Sequence, residues 1–172
     1  QGAVGEMRAF LLDTNIWAYL YHREKYAQEY SNVMKHLSQI HEPVSLAISV
    51  ISWGEIAVGL QQNDRGKDSV QREHLKFVRS EKPWFVGIDV HTAEQYGKLR
   101  GRLSCENRSK KRDFVDIYTW LEVGSLENDL WIIAQAMTKD LILVTNDRKS
   151  LRPILDVAGD ELHVENWAEE TV

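Results

Sequence analysis

A chain of 172 residues, 43% hydrophobic and 27% charged, is long enough to bury one core and too apolar to stay disordered. One cysteine, Cys105, excludes an internal disulfide and fits a reducing, cytoplasmic setting, and no stretch approaches the ~20 apolar residues of a membrane span. The net charge of −5 weighs against a nucleic-acid partner unless that charge is unevenly placed.

Residues 1–6 carry no signal-peptide pattern and read as a remnant ahead of Met7, so that 7–172 form a single domain. The apolar run from Ala9 to Leu12 suits a strand buried on both faces and ends at Asp13. Ile16, Tyr19 and Leu20, then Tyr26, Tyr30, Val33, Met34 and Leu37, recur at helical spacing. They predict one or two helices over about 15–40, with a break near His22–Lys25. Val44 to Val50 predicts a second strand, and the segment from about Ser52 to Gln62 a helix. Asn63-Asp64-Arg65-Gly66 marks a turn, and a charged helix carrying Val70, Leu75, Phe77 and Val78 follows. Trp84 to Ile88 predicts a third strand ending at Asp89, and 91–105 a helix with Ala93, Tyr96, Leu99 and Leu103 on its apolar face. The stretch 106–128, with a basic cluster and an apolar patch, fits no single element. Asp129 to Met137 reads as an apolar helix and Leu141 to Val144 as a fourth strand. A short helix at Arg148–Leu155 and a strand near Leu162–Val164 complete the chain. Strands alternating with helices predict an α/β fold with a mainly parallel sheet covered on both faces. Such sheets hold their ligand outside the carboxyl ends of the strands.

Acids gather at that edge. Asp13, Asp89 and Asp147 end strands, and Glu55 and Asp129 lie near helix starts within apolar sequence. Each has a plain structural reading as well: Asp13 and Asp89 as helix caps, Glu55 and Asp129 as first-turn acids favoured by the helix dipole, Asp147 as a turn residue. Buried carboxylates without basic partners are costly, and a cluster of them suits a hard divalent cation, which prefers oxygen ligands. Asp89, followed by His91-Thr92, is the weakest member of the group and reads as a cap. The six histidines lack metal-ligand spacing and read as surface or capping residues, and no Ser–His–Asp or Cys–His arrangement competes.

Leu11-Leu12-Asp13-Thr14-Asn15, Ile48 to Ile56 with Gly59, Asn128-Asp129-Leu130-Trp131-Ile132-Ile133-Ala134, Leu143-Val144-Thr145-Asn146-Asp147 and Val164-Glu165-Asn166-Trp167 resemble, in order, the motifs of PIN-domain nucleases. The pattern is most similar to VapC-type toxins of bacterial toxin–antitoxin pairs and spans about residues 8–167. The resemblance implies a PIN-like three-layer α/β/α sandwich and a metal-dependent endoribonuclease. In it Asp13, Glu55, Asp129 and Asp147 hold one or two Mg²⁺ or Mn²⁺ ions. Asn15 and Thr145 would act as polar supports, Ser49 or Ser52 would orient Glu55, and Asn146 could share the role of Asp147. It also implies an antitoxin partner and a homodimer. The stretch from about 106 to 123 is longer than the family pattern.

Lys98, Arg100, Arg102, Arg108, Lys110, Lys111 and Arg112 crowd one segment with Glu106 as its only acid. Either this is a solvated helix face and loop, or it supplies the sequence-independent part of RNA binding, with Arg108, Lys110, Lys111 and Arg112 as the contacts. Phe114, Tyr118 and Trp120 follow, either stacking on bases or packed in a local core. The net acidity is thus an average over an acid cluster, an acidic end at 156–172 and a basic strip. Three other readings stand beside the toxin: a PIN-domain nuclease of RNA processing or decay, a non-catalytic binding module, and a receiver-like domain. The last lacks the lysine it would need in Leu141–Thr145.

Overall fold

The computed structural model describes residues 8–58, 68–109 and 126–170, without the side chains of 68, 69, 104 and 106–109. The turn at 63–66 and the stretch 110–125 lie outside the described residues. In chain order the elements are β1 (Arg8–Leu12), α1 (Thr14–Tyr21), α2 (Ala27–Gln39), β2 (Val44–Ser49), α3 (Val50–Val58), α4 (Asp68–Ser80) and β3 (Trp84–Val86). There follow α5 (Val90–Ser109), α6 (Leu126–Thr138), β4 (Ile142–Val144), α7 (Arg148–Ala158), a 3₁₀ turn (Gly159–Glu161) and β5 (Val164–Glu165).

The five strands form one parallel sheet in the order β3-β2-β1-β4-β5, with Leu12 opposite both Ile48 and Val144. The alternation of side chains along a strand explains why its central strands are apolar throughout. Leu11, Ala47 and Leu143 face one layer with Leu99, Leu103, Leu130, Ile133 and Ile154 of α5, α6 and α7. Phe10, Leu12, Ile48 and Val144 face the other with Ile16, Trp17, Val33, Ile56 and Val78 of α1 to α4. The fold is therefore the α/β/α sandwich with a parallel sheet that the sequence predicts.

Several boundaries shift by a few residues, and two of the shifts matter for the site. The third helix begins at Val50, so Glu55 stands in its second turn and not among its dipole-stabilised first residues. The sixth begins at Leu126, three residues earlier than predicted, which puts Asn128 and Asp129 in its opening turn. The seventh runs on to Ala158, where Gly159 at φ +59° ends it in a conformation other residues rarely adopt. One histidine also departs from expectation. His74 is buried and stacked on Tyr21, with ring centroids 4.4 Å apart and planes 5° from parallel. Burial, with His22 nearby, lowers its pKa to about 4 and keeps the imidazole neutral inside the α1–α4 packing.

Candidate active site

The chain order around the sheet reverses between β1 and β4: β2 and β3 extend it on one side of β1, β4 and β5 on the other. A crevice forms at the carboxyl end of such a switch point. Asp13 follows β1 and Thr145–Asp147 follow β4, so these segments meet there. Because helices run back antiparallel to the strands they join, the second turn of α3 and the first turn of α6 bring Glu55 and Asp129 to the same edge.

Asp13 is 7% exposed and serves two purposes. Its Oδ1 accepts the Thr14 amide at 2.7 Å, capping α1. Its Oδ2 accepts the Thr145 hydroxyl at 2.8 Å and the Asn15 amide at 3.0 Å. One carboxylate therefore both caps α1 and ties the segment after β4 to β1. Thr145 Oγ1 also accepts the Asp147 backbone N–H at 3.1 Å, and Asn15 Oδ1 that of Asn146 at 3.3 Å, which fixes the turn after β4 against β1. Asn146 spends its side chain on scaffolding: Nδ2 donates to Tyr19 Oη and Oδ1 accepts from Asn166, each at 3.0 Å. The exposed Asp147 side chain makes no capping bond to α7.

Glu55 is held at both oxygens, by the Thr14 hydroxyl and by Asn128 Nδ2, the latter at 2.8 Å. The serines expected to orient it do other work. Ser49 Oγ donates to Gln135 Oε1 at 2.6 Å and accepts the Ile51 amide, while the buried Ser52 hydroxyl has no partner. Gln135 in turn donates to the carbonyls of Val86 and Gly87, tying the ends of β2 and β3 to α6. Thr14, Asn128 and Gln135 are thus structural partners that the sequence reading did not single out. Removing the two donors is expected to free Glu55. Thr14→Val with Asn128→Ala should cost the proposed cleavage activity about tenfold or more, against about 1–2 kcal/mol of stability, read by parallel cleavage assays and urea unfolding.

The carboxylates act on one another. Burial first, then Asp13, Glu55 and Asp147, push the Asp129 carboxyl up to about 7. Burial also raises Asp13, with Glu55 and Asp147 adding to it against the hydrogen bonds of Thr145 and Thr14. Among the described residues no Lys or Arg offsets this charge. Nor do any three His, Cys, Asp or Glu side chains there stand in ready ligating geometry, as expected of like charges with nothing between them. The donors suit a hard divalent cation in element and in charge: all are oxygen, they carry up to four negative charges, and they sit at the carboxyl edge of the sheet.

Asp89 does not belong to the cluster. It caps α5 by accepting from the Thr92 amide and hydroxyl, both at 2.9 Å, and it pairs with Lys139, which lowers its pKa. The basic strip is partly committed: Arg100 pairs with Glu127 at 3.3 Å and Arg102 with Glu161 at 3.2 Å. Lys110, Lys111 and Arg112 and the side chain of Arg108 lie outside the described residues.

The PIN domain family profile matches residues 10–154. No curated protein matches the sequence at a significant level. Among solved structures, one similar chain comes from VapBC2 of Rickettsia felis bound to a DNA fragment from their promoter. It is 25% identical, at a TM-score of 0.64, over 92% of this chain and 98% of that one. VapBC-1 of nontypeable Haemophilus influenzae is similar at 22% identity and 0.64 over 94% and 99%, and DNA-bound VapBC of Salmonella typhimurium at 20% and 0.59 over the same shares.

Proposed function

Since the chain belongs to the PIN domain family, we propose that it is a Mg²⁺- or Mn²⁺-dependent endoribonuclease and the toxin of a type II toxin–antitoxin pair. The observation that carries the chemistry is the convergence of Asp13, Glu55, Asp129 and Asp147, where burial and then the three neighbouring acids push the Asp129 carboxyl up to about 7 and no cationic side chain among the described residues answers them. The likeness to VapBC complexes over nearly the full chain supports the toxin reading and with it a cognate antitoxin, while the homodimer rests on the family resemblance of the sequence motifs.

In this reading Asp13, Asp129, Asp147 and Glu55 would hold one or two ions. A bound ion would supply a water of lowered pKa and polarise the phosphoryl oxygen of an RNA phosphodiester. The chain's own residues prepare that encounter. Asn15 and Thr145 fix the rotation of the Asp13 carboxylate from one side, and the Thr14 amide fixes it from the other. Thr14 and Asn128 stop Glu55 from swinging into solvent. With its pKa raised to about 7, Asp129 is partly protonated at neutral pH and gives up that proton as positive charge arrives, so ion binding competes with protons.

Two measurements follow. Excess Mn²⁺ is expected to raise the Tm relative to EDTA, by about 2.7 kcal/mol of stabilisation at a hundredfold excess over Kd. The effect should shrink from pH 8 to pH 6 and vanish in Asp13→Asn with Asp129→Asn. An equal shift in that double variant would sink the assignment. For the substrate, RNA from cells induced for the protein is sequenced at its cleaved ends, with Asp129→Asn as control. Growth arrest abolished by Asp13→Ala would support a toxin; cleavage without arrest would favour an RNA-processing nuclease.

A further inference from the structure

The acid cluster poses an electrostatic difficulty. A polyanion must approach up to four carboxylates, and the net charge of the chain is −5. Some local cations must hold the strand beside the site, because phosphate contacts fix the register of a nucleic acid on a protein. The cations of the described residues are unequally available. Arg100, Arg102 and Lys139 answer Glu127, Glu161 and Asp89. Arg148 and Lys149 are different. They open α7 immediately after Asp147, both are exposed, and neither is in an ion pair among the described residues. The backbone beneath them is firmly placed, since the preceding turn is bonded to Thr145 and Asn15 and Leu151 N–H bonds to the Asp147 carbonyl at 3.1 Å. Two uncommitted cations therefore stand on a fixed helix start at the rim of the carboxylate crevice. They have not been spent on neutralising it, for the groups acting on Asp13 and Asp129 include no Lys or Arg.

We propose that Arg148 and Lys149 form a phosphate-binding rim that grips the sugar–phosphate backbone of single-stranded RNA beside the bond presented to the carboxylates. The proposal rests on the nuclease reading above and locates the backbone contacts at α7, independently of the strip at 108–112. Phosphate contacts carry no base information, so the rim sets affinity and register and leaves sequence choice elsewhere.

The test uses the full chain carrying Asp129→Asn, so that bound RNA survives, with Mg²⁺ and a fluorescein-labelled oligouridylate followed by anisotropy between about 50 and 200 mM salt. Arg148→Ala with Lys149→Ala should weaken binding about tenfold at the low-salt end. The slope of log K against log salt should become shallower by about 1.4, which is 0.7 for each of two lost contacts. Lys35→Ala with Lys82→Ala removes the same charge from exposed positions away from the crevice and should change little. Equal weakening by both pairs, or an unchanged slope in the first, overturns the proposal. Cleavage of RNA by the chain with Asp129 intact is run in parallel. Its absence would fail the nuclease reading, whereas its presence with an unchanged slope fails the rim alone. Because both side chains are exposed, the Tm of the double variant should match its parent, which separates loss of grip from loss of fold.

Discussion

Asp129→Asn is expected to lower RNA cleavage about a thousandfold or more and, in EDTA above pH 7, to leave the protein more stable than the wild type. The two halves of this result have one cause. Burial and the neighbouring acids push the folded-state pKa of Asp129 up to about 7 from the ordinary 3.8, so between those values the folded chain binds a proton that the unfolded chain has released. Stability supplied by that proton is present at low pH and is lost as pH rises through about 7. The wild type without cation should therefore weaken on going from pH 5 to pH 8, and the Asn variant should lose most of that slope. Asp129 is only half-buried, so after solvent screening the difference is on the order of 1–2 kcal/mol. Urea unfolding across that pH range reads it. A variant that is inactive but no more stable at pH 8 would show that Asp129 is not electrostatically strained.

Trp167→Ala is expected to cost about 3–5 kcal/mol, the largest stability loss of any exchange considered. The ring is fully buried on the α1–α4 side of the sheet, although it lies beyond the last strand. It meets Phe10 edge-on at 4.8 Å and stacks on His36 at 5.0 Å. Its Nε1 donates to Glu165 Oε2 at 2.6 Å, and Glu165 also binds Arg8 at 3.2 Å. Ala would leave a cavity beside Phe10 and take one hydrogen-bond donor from Glu165, which keeps Arg8. Denaturant midpoints compare it with Trp84→Ala, whose ring is 46% exposed and which should lose about 0.5 kcal/mol. Similar losses in the two would mean that the end of the chain does not close the core.

The element order and the sheet were readable because each strand is a short apolar run and each helix keeps its period. The central strands owe their unbroken apolarity to burial on both faces, as Leu11 and Leu12 show by entering opposite cores. The acids stood out because a carboxylate within apolar sequence is costly. What supports them did not stand out. Thr14 reaches Glu55 across 41 residues and Asn128 reaches it across 73, and no local pattern carries such a pairing. The serine assignment failed for the same reason: Ser49 lies close to Glu55 in sequence, but its hydroxyl turns to Gln135. Gln135 left a trace, a lone amide in the apolar run from Leu130 to Met137, and buried polar groups of that kind have partners. The basic strip misled in part because charge in a sequence does not reveal what answers it, and the partners of Arg100 and Arg102 lie 27 and 59 residues away.

The double duty of Asp13 bears on what drift would do to this chain. Were its chemistry no longer needed, Asp13 would still start α1 and pin Thr145, so selection for folding alone would keep it. Asp129 has no such shelter: ionised and unanswered it weakens the fold, and the first neutral replacement would spread. A decayed descendant would thus carry the first acid and lack the third. Under the proposed function, Asp129 is thus the acid whose presence folding does not explain.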